Sequence, residues 1–185
     1  MLRPVDPTWR LVRHPGSSHG LALQITAALA REQGVWRLDY SVQGELSALR
    51  LPEVAAHPAA VDGLWHHTCF EAFVAGAGDA YHEFNFSPSG HWAAYAFSRE
   101  RVRQAAAHPL PPVHIHCARE AQRLVLSAWL PDAALPLGSS AAPLGLSAVI
   151  ENGDGHLSYW ALHHPAPHPD FHARSGWIAR WPLTG

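Results

Sequence analysis

From Leu64 to Arg99 the chain alternates side-chain character at a period of two through three successive segments, with glycine-containing turns between them. No other feature constrains the fold as much. Successive side chains of a strand point to opposite faces, and no 3.6-residue apolar stripe can be drawn through this stretch. In the middle segment Tyr81, Glu83, Asn85 and Ser87 share one face, while His82, Phe84 and Phe86 share the other. The two phenylalanines predict burial on their side. The opposite face then presents a phenol, a carboxylate and an amide in a row, beside Trp92 and Tyr95 of the next segment. Such a row suits a ligand platform better than a solvated surface.

The rest of the chain follows the same period. Leu21–Ala30 and Val35–Gly44 read as paired strands around a short Arg-Glu-Gln-Gly turn. Val113–Cys117 and Leu124–Leu130 read as a hairpin, and Leu144–Glu151 with Leu157–His163 as another, closed by Asn152-Gly153-Asp154-Gly155. Residues 1–19 read as an irregular arm, and Pro52–Gly63 and Pro131–Pro143 as loops. Arg101–His108 reads as one or two helical turns ended by Pro109, Pro111 and Pro112. The proline-punctuated tail His163–Trp181 is expected to wrap the sheet edge. About nine or ten short strands with almost no helical periodicity predict an all-β, antiparallel β-sandwich.

A chain of 185 residues, 48% apolar and 15% charged, can bury the core of one domain, here 1–185 with the core at about 20–180. A net charge of −2 without a Lys/Arg cluster excludes a nucleic-acid or anionic-membrane surface. The run Leu21–Ala30 is too short to span a bilayer and lies late for a secretory segment, so the cytoplasm is the expected compartment. Cys69 and Cys117 do not make a disulfide framework, and Cys69 alternates with Phe70 as a buried thiol would.

The segments Leu64-Trp65, Thr68-Cys69-Phe70-Glu71, Tyr81-His82-Glu83-Phe84-Asn85-Phe86-Ser87-Pro88-Ser89-Gly90 and Trp92-Ala93-Ala94-Tyr95 resemble the DOMON-like proteins related to family 9 carbohydrate-binding modules. Val149-Ile150-Glu151, Tyr159-Trp160-Ala161-Leu162-His163 and Pro169-Asp170-Phe171-His172 extend the resemblance over nearly the whole chain. It implies a jelly-roll-like sandwich of two sheets that binds a sugar or, in other branches, a haem. Some related sugar modules also hold a structural calcium. Haem-binding relatives supply an axial Met with His or Lys, whereas this chain has only Met1 and no Lys.

The candidate ligand-binding residues are therefore Glu83, Asn85 and Tyr81, assisted by Glu71, Arg99 and Trp92 or Tyr95, with Trp160 as a secondary member. Carboxylates and an amide match sugar hydroxyls, and an aromatic ring matches the C–H face of a sugar. In a regular strand Trp92 and Tyr95 face opposite ways, so only one can line the site. The competing structural role for Glu71 and Glu83 is pairing with Arg99, Arg101 or Arg103 in a partly buried network. Trp65, Trp129, Trp160 and Trp177 read as core or edge covers. His163, His164, His168, Asp170 and His172 have a spacing that could gather imidazoles around a metal. Prolines 165, 167 and 169 prevent one helix face from presenting them, and loop fixing is the expected role of Asp170 and His172, with Phe171 as a core anchor. No nucleophile elbow or phosphate loop occurs. The expected function is non-catalytic binding of a saccharide-like ligand with no cofactor. A haem or redox-cofactor domain and an enzyme acting on a sugar-like substrate stand as alternatives, the latter because Glu71 and Glu83 are a pair of carboxyls.

Overall fold

Twelve strands, each antiparallel to its ladder partners, organise the computed structural model, which describes residues 7–17, 21–32, 35–104, 111–136 and 141–181. One sheet is β1 (Thr8–Arg13), β2 (Leu23–Glu32), β3 (Val35–Gly44), β9 (Arg123–Pro131) and β8 (His114–Arg119), in that spatial order. The other begins at β7 (Val102–Gln104) and continues through β6 (Trp92–Arg99), β5 (Tyr81–Phe86), β4 (Cys69–Ala75), β10 (Ala142–Glu151) and β11 (Leu157–Ala161). β1 belongs to both sheets: Thr8–Leu11 pair with β2, while Val12 and Arg13 pair with β11. β12 (Ala179–Trp181) pairs with the first residues of β10, extending the line of β11. No helix among the described residues is long and apolar enough to cross a membrane.

Alternation sorts each strand into a core face and an outer face. Ile25, Leu29, Leu38, Tyr40, Leu126 and Leu130 of the first sheet are buried against Phe70, Phe84, Phe86, Leu146 and Ile150 of the second. The Tyr40 ring lies 5.0 Å from Phe70 and 6.5 Å from Phe86, which marks the contact between the layers. Its hydroxyl donates to the Glu71 carbonyl at 2.6 Å, so the polar tip costs little to bury. Each such fully buried large side chain contributes about 1.5–3 kcal/mol relative to exposure.

Several sequence expectations need correction. The supposed N-terminal arm contains β1, whose short run between polar neighbours carries too little alternation to read. Arg101–His108 does not begin as a helix, because Val102–Gln104 pair with β6 as β7; residues 105–108 lie outside the described residues. The tail does not follow the sheet edge. It crosses the outer face of the second sheet and returns to the ladder as β12. The three-residue strands β7 and β12, together with β1, raise the strand number above nine or ten.

Candidate ligand-binding site

The ladder registers place the polar residues of the middle segment on the outer face of the second sheet. Directly paired residues share a face. Tyr95, Glu83, Phe73 and Gly145 therefore form one row across β6, β5, β4 and β10, and Ala93, Asn85, Glu71 and Ser147 form the next. Val149 and Tyr159 follow on β10 and β11.

This face is roofed rather than solvated. From the tail, the Trp177 indole stacks on Phe73 with centroids 5.7 Å apart, meets Tyr81 edge-on at 5.1 Å, and donates its N–H to the Phe171 carbonyl at 2.8 Å. It rests on bare backbone. A Cβ on Gly145 would fall 2.7 Å from Nε1 and 2.8 Å from Cγ of that indole, where 3.4 Å or more is ordinary contact. On the opposite side a 3₁₀ turn, Leu64–His66, brings Trp65 over the sheet. Between turn and tail lies a cavity of about 550 Å³. Glu71, Glu83 and Val149 contribute from the sheet. Phe73, Phe97, Trp65, Tyr159, Leu157, Pro169 and Phe171 give it apolar and aromatic walls, and Arg101, Arg103, His66 and His172 complete the lining.

Glu71 and Glu83 are only 3% and 5% exposed. Glu83 Oε1 accepts from Asn85 Nδ2 at 2.7 Å, and Asn85 Oδ1 in turn accepts from the Cys69 thiol at 3.6 Å. Glu71 Oε2 accepts from Ser147 Oγ at 3.2 Å. Burial pushes both carboxyls above the usual carboxylate range. For Glu71 the Glu83 charge adds to burial and the Ser147 hydroxyl opposes it. For Glu83 the Asn85 amide and then the Arg103 and Arg101 charges oppose burial without cancelling it. The arginines are engaged elsewhere. Arg101 Nη2 binds Asp170 at 2.8 Å, and Arg103 Nη2 binds Asp62 at 3.3 Å while its guanidinium lies 3.7 Å over the Tyr95 ring. In place of the Glu–Arg network weighed as the competing structural role, these arginines form Asp–Arg pairs at the cavity rim.

His172 is held by a chain of hydrogen bonds. Its Nδ1 lies 2.6 Å from the Tyr81 hydroxyl, which also accepts the Arg101 backbone N–H at 3.1 Å. Burial, and then the Arg101 charge, lower the imidazole to about 4, so it is neutral at physiological pH. The phenol, already accepting from Arg101, has its one proton free to donate to Nδ1. The remaining imidazole proton therefore sits on Nε2, 3.7 Å from Glu83 Oε2. Arg101 reaches this position with φ +57, the one non-glycine residue in the left-handed region among those described.

Of the residues singled out from sequence, Glu71 and Glu83 line the cavity, Asn85 supports Glu83 from beneath, and Tyr81 positions His172. Tyr95 shares their face and supports Arg103. Trp92 does not join them: it pairs with Phe86 and packs toward the core. Trp160 likewise pairs with Ala148 on the core face, its indole N–H donating to Ser158 Oγ at 3.0 Å, and its neighbour Tyr159 lines the cavity instead. Arg99 stands exposed outside the lining, because a register shift between Phe97 and Arg99 interrupts the alternation and the following turn delivers Arg101 and Arg103.

Trp65, read as a cover, is a cavity wall, and His172, read as a loop-fixing residue, faces the carboxylates. Asp170 does fix the loop, since its Oδ1 accepts from the His172 backbone N–H at 3.0 Å as well as from Arg101. Phe171, half-buried, packs against the core cluster and also lines the cavity wall. His164 binds the Val12 carbonyl at 2.9 Å, and His163 and His168 are exposed; no group of three or more metal-ligating side chains forms among the described residues. Cys69 and Cys117 are free thiols.

No protein-family model matches the chain, and no curated protein matches it. Solved structures do. A candidate carbohydrate-binding protein from Bacteroides uniformis superposes with a TM-score of 0.65 at 16% identity, over 93% of this chain and 84% of that one. A family 9 carbohydrate-binding module from Caldicellulosiruptor kristjanssonii, solved with glucose, superposes with a TM-score of 0.58 at 7% identity, over 91% and 80%. A family 9 module from the same organism, solved with cellotriose, gives 0.53 at 7% identity, over 82% and 72%. The fold is that of the family 9 carbohydrate-binding modules. At such identities the likeness extends to the sandwich, and the chemistry of the site rests on the residues described above.

Proposed function

We propose that this chain is a saccharide-binding protein whose site is the cavity between the Leu64–His66 turn and the tail. One observation carries the reading: two nearly buried carboxyls lie at the sheet side of an aromatic-walled cavity large enough for a sugar ring. Sugar hydroxyls would donate to Glu71 and Glu83 and accept from the Nε2–H of His172, while Trp65 and Tyr159 offer rings to the apolar C–H face. Such binding is reversible and needs no cofactor. The solved relatives that hold glucose and cellotriose, together with the DOMON-like sequence resemblance, support the same ligand class. Calorimetric titration with glucose and cellotriose tests it. Binding is expected, with Trp65→Ala weakening it about tenfold or more through the lost stacking surface. A Soret band in the purified protein, or unchanged affinity in Trp65→Ala, would overturn the assignment.

A further inference from the structure

We propose that the saccharide taken by this cavity bears a primary ammonium group, as an amino sugar does, with the nitrogen seated at Glu71 and Glu83. The inference rests on the saccharide reading of the cavity and names the chemistry of its ligand. Two independent features of the cavity meet an ammonium. The first is the carboxyl pair, which the protein leaves without a full counter-charge. Arg101 and Arg103 are ion-paired to Asp170 and Asp62 and offset the burial of Glu83 only in part, and His172, 3.7 Å from Glu83, is neutral. A buried carboxylate without a cation is costly, and a ligand cation offsets that cost. The second is the aromatic wall. Trp65, Phe73, Phe97 and Tyr159 surround the same space, and the negative faces of such rings attract a desolvated cation.

A neutral sugar offers the carboxyl pair hydroxyl donors but no counter-charge. An ammonium supplies donors to both carboxyls and satisfies them at once. Burial pushes both carboxyls toward the protonated form and a seated ammonium pulls them back, so binding favours proton release to solvent. The charged and titratable groups around the pair are Cys69 and Tyr40 from β4 and β3, Tyr81 from β5, Tyr95 from β6, Tyr159 from β11, Arg101 and Arg103 from the β6–β7 edge, Asp62 before the 3₁₀ turn and His66 within it, and Asp170 and His172 from the tail. None of them supplies a free cation in ion-pair contact with Glu71 among the described residues.

The test is calorimetric titration of the whole chain at about pH 6.5 with glucosamine, N-acetylglucosamine and glucose, each in two buffers of different ionisation enthalpy. Acetylation removes the charge while keeping the ring. Glucosamine is expected to bind at least about tenfold tighter than N-acetylglucosamine, with net proton release for glucosamine alone. Glu71→Gln should lower the glucosamine-to-glucose affinity ratio at least about tenfold, and Glu83→Gln provides the same comparison should the first variant not fold. Neutral sugars binding as well as glucosamine would overturn this inference and leave the saccharide reading standing. Absence of binding by all three sugars would overturn both. Calcium competing with glucosamine would replace the ammonium with a metal ion and overturn the inference.

Discussion

Gly145→Ala tests whether the roof over the site is held by the close approach of Trp177 to β10. The added Cβ would meet the indole most closely at Cδ1, with Nε1 at 2.7 Å and Cγ at 2.8 Å, every one of them well inside the 3.4 Å of ordinary contact. The ring cannot yield cheaply, because it is stacked on Phe73, edge-on to Tyr81 and hydrogen-bonded to the Phe171 carbonyl. Overpacking of this kind costs about 1–3 kcal/mol. Complete expulsion of the indole sets an upper bound of about 3–5 kcal/mol. For a domain of this size the first range lowers Tm by about 2–12 °C. Urea unfolding of four proteins closes a double-mutant cycle: the parent, Gly145→Ala, Trp177→Ala and the double variant. With Trp177 removed, the same methyl should become neutral or stabilising by about 0.4–1 kcal/mol, because alanine restricts the unfolded chain more than glycine does. Since Pro169, Phe171 and His172 reach the cavity from the same tail, Gly145→Ala should also weaken ligand binding. An equal cost of Gly145→Ala in both backgrounds would refute the reasoning, because the penalty would then not arise from Trp177.

Glu71 and Glu83 should give the fold an unusual pH dependence. Their carboxyls hold protons more tightly folded than unfolded, so stability is lost as pH rises above the unfolded value near 4.5. His172, lowered to about 4, acts with the opposite sign between about 4 and 6.5, where the unfolded chain binds the extra proton. The difference between parent and Glu71→Gln isolates the carboxyl: the variant should gain on the parent steadily as pH climbs from 4.5, and a pH-independent gap in chemical denaturation would count against it. For Tyr81→Phe we expect a loss of about 1–3 kcal/mol, since the Arg101 N–H loses its acceptor and His172 Nδ1 its donor. The same variant should raise the His172 titration midpoint seen by NMR; a parent imidazole titrating near 6.5 would contradict the hydrogen-bond chain.

Much of the fold is legible in the sequence because strand alternation is local. Val35–Gly44 reads as a strand from Trp36, Leu38, Tyr40 and Val42 alone, and those side chains do face the core. The same rule gives Tyr81, Glu83 and Asn85 a shared face and separates Trp92 from Tyr95. It stops where alternation is interrupted. A register shift between Phe97 and Arg99 takes Arg99 out of the site, and a turn with positive φ at Arg101 puts other arginines there. Phase is also fragile: Tyr159 and Trp160 differ by one residue, and only the pairing of β11 with β10 decides which reaches the cavity.

The sequence by itself determined an antiparallel sandwich and a polar row on one strand face, since period-two patterning and turn residues act over a few positions. Only the tertiary structure decided that this row is roofed and that the roof brings Trp65 and the sequence-distant His172 onto the carboxyls. It also decided that Arg101 and Arg103 bind aspartates and not those glutamates. Burial and charge pairing depend on which segments meet across the sheet, and that is fixed by non-local packing, such as a bare Gly145 receiving the Trp177 ring.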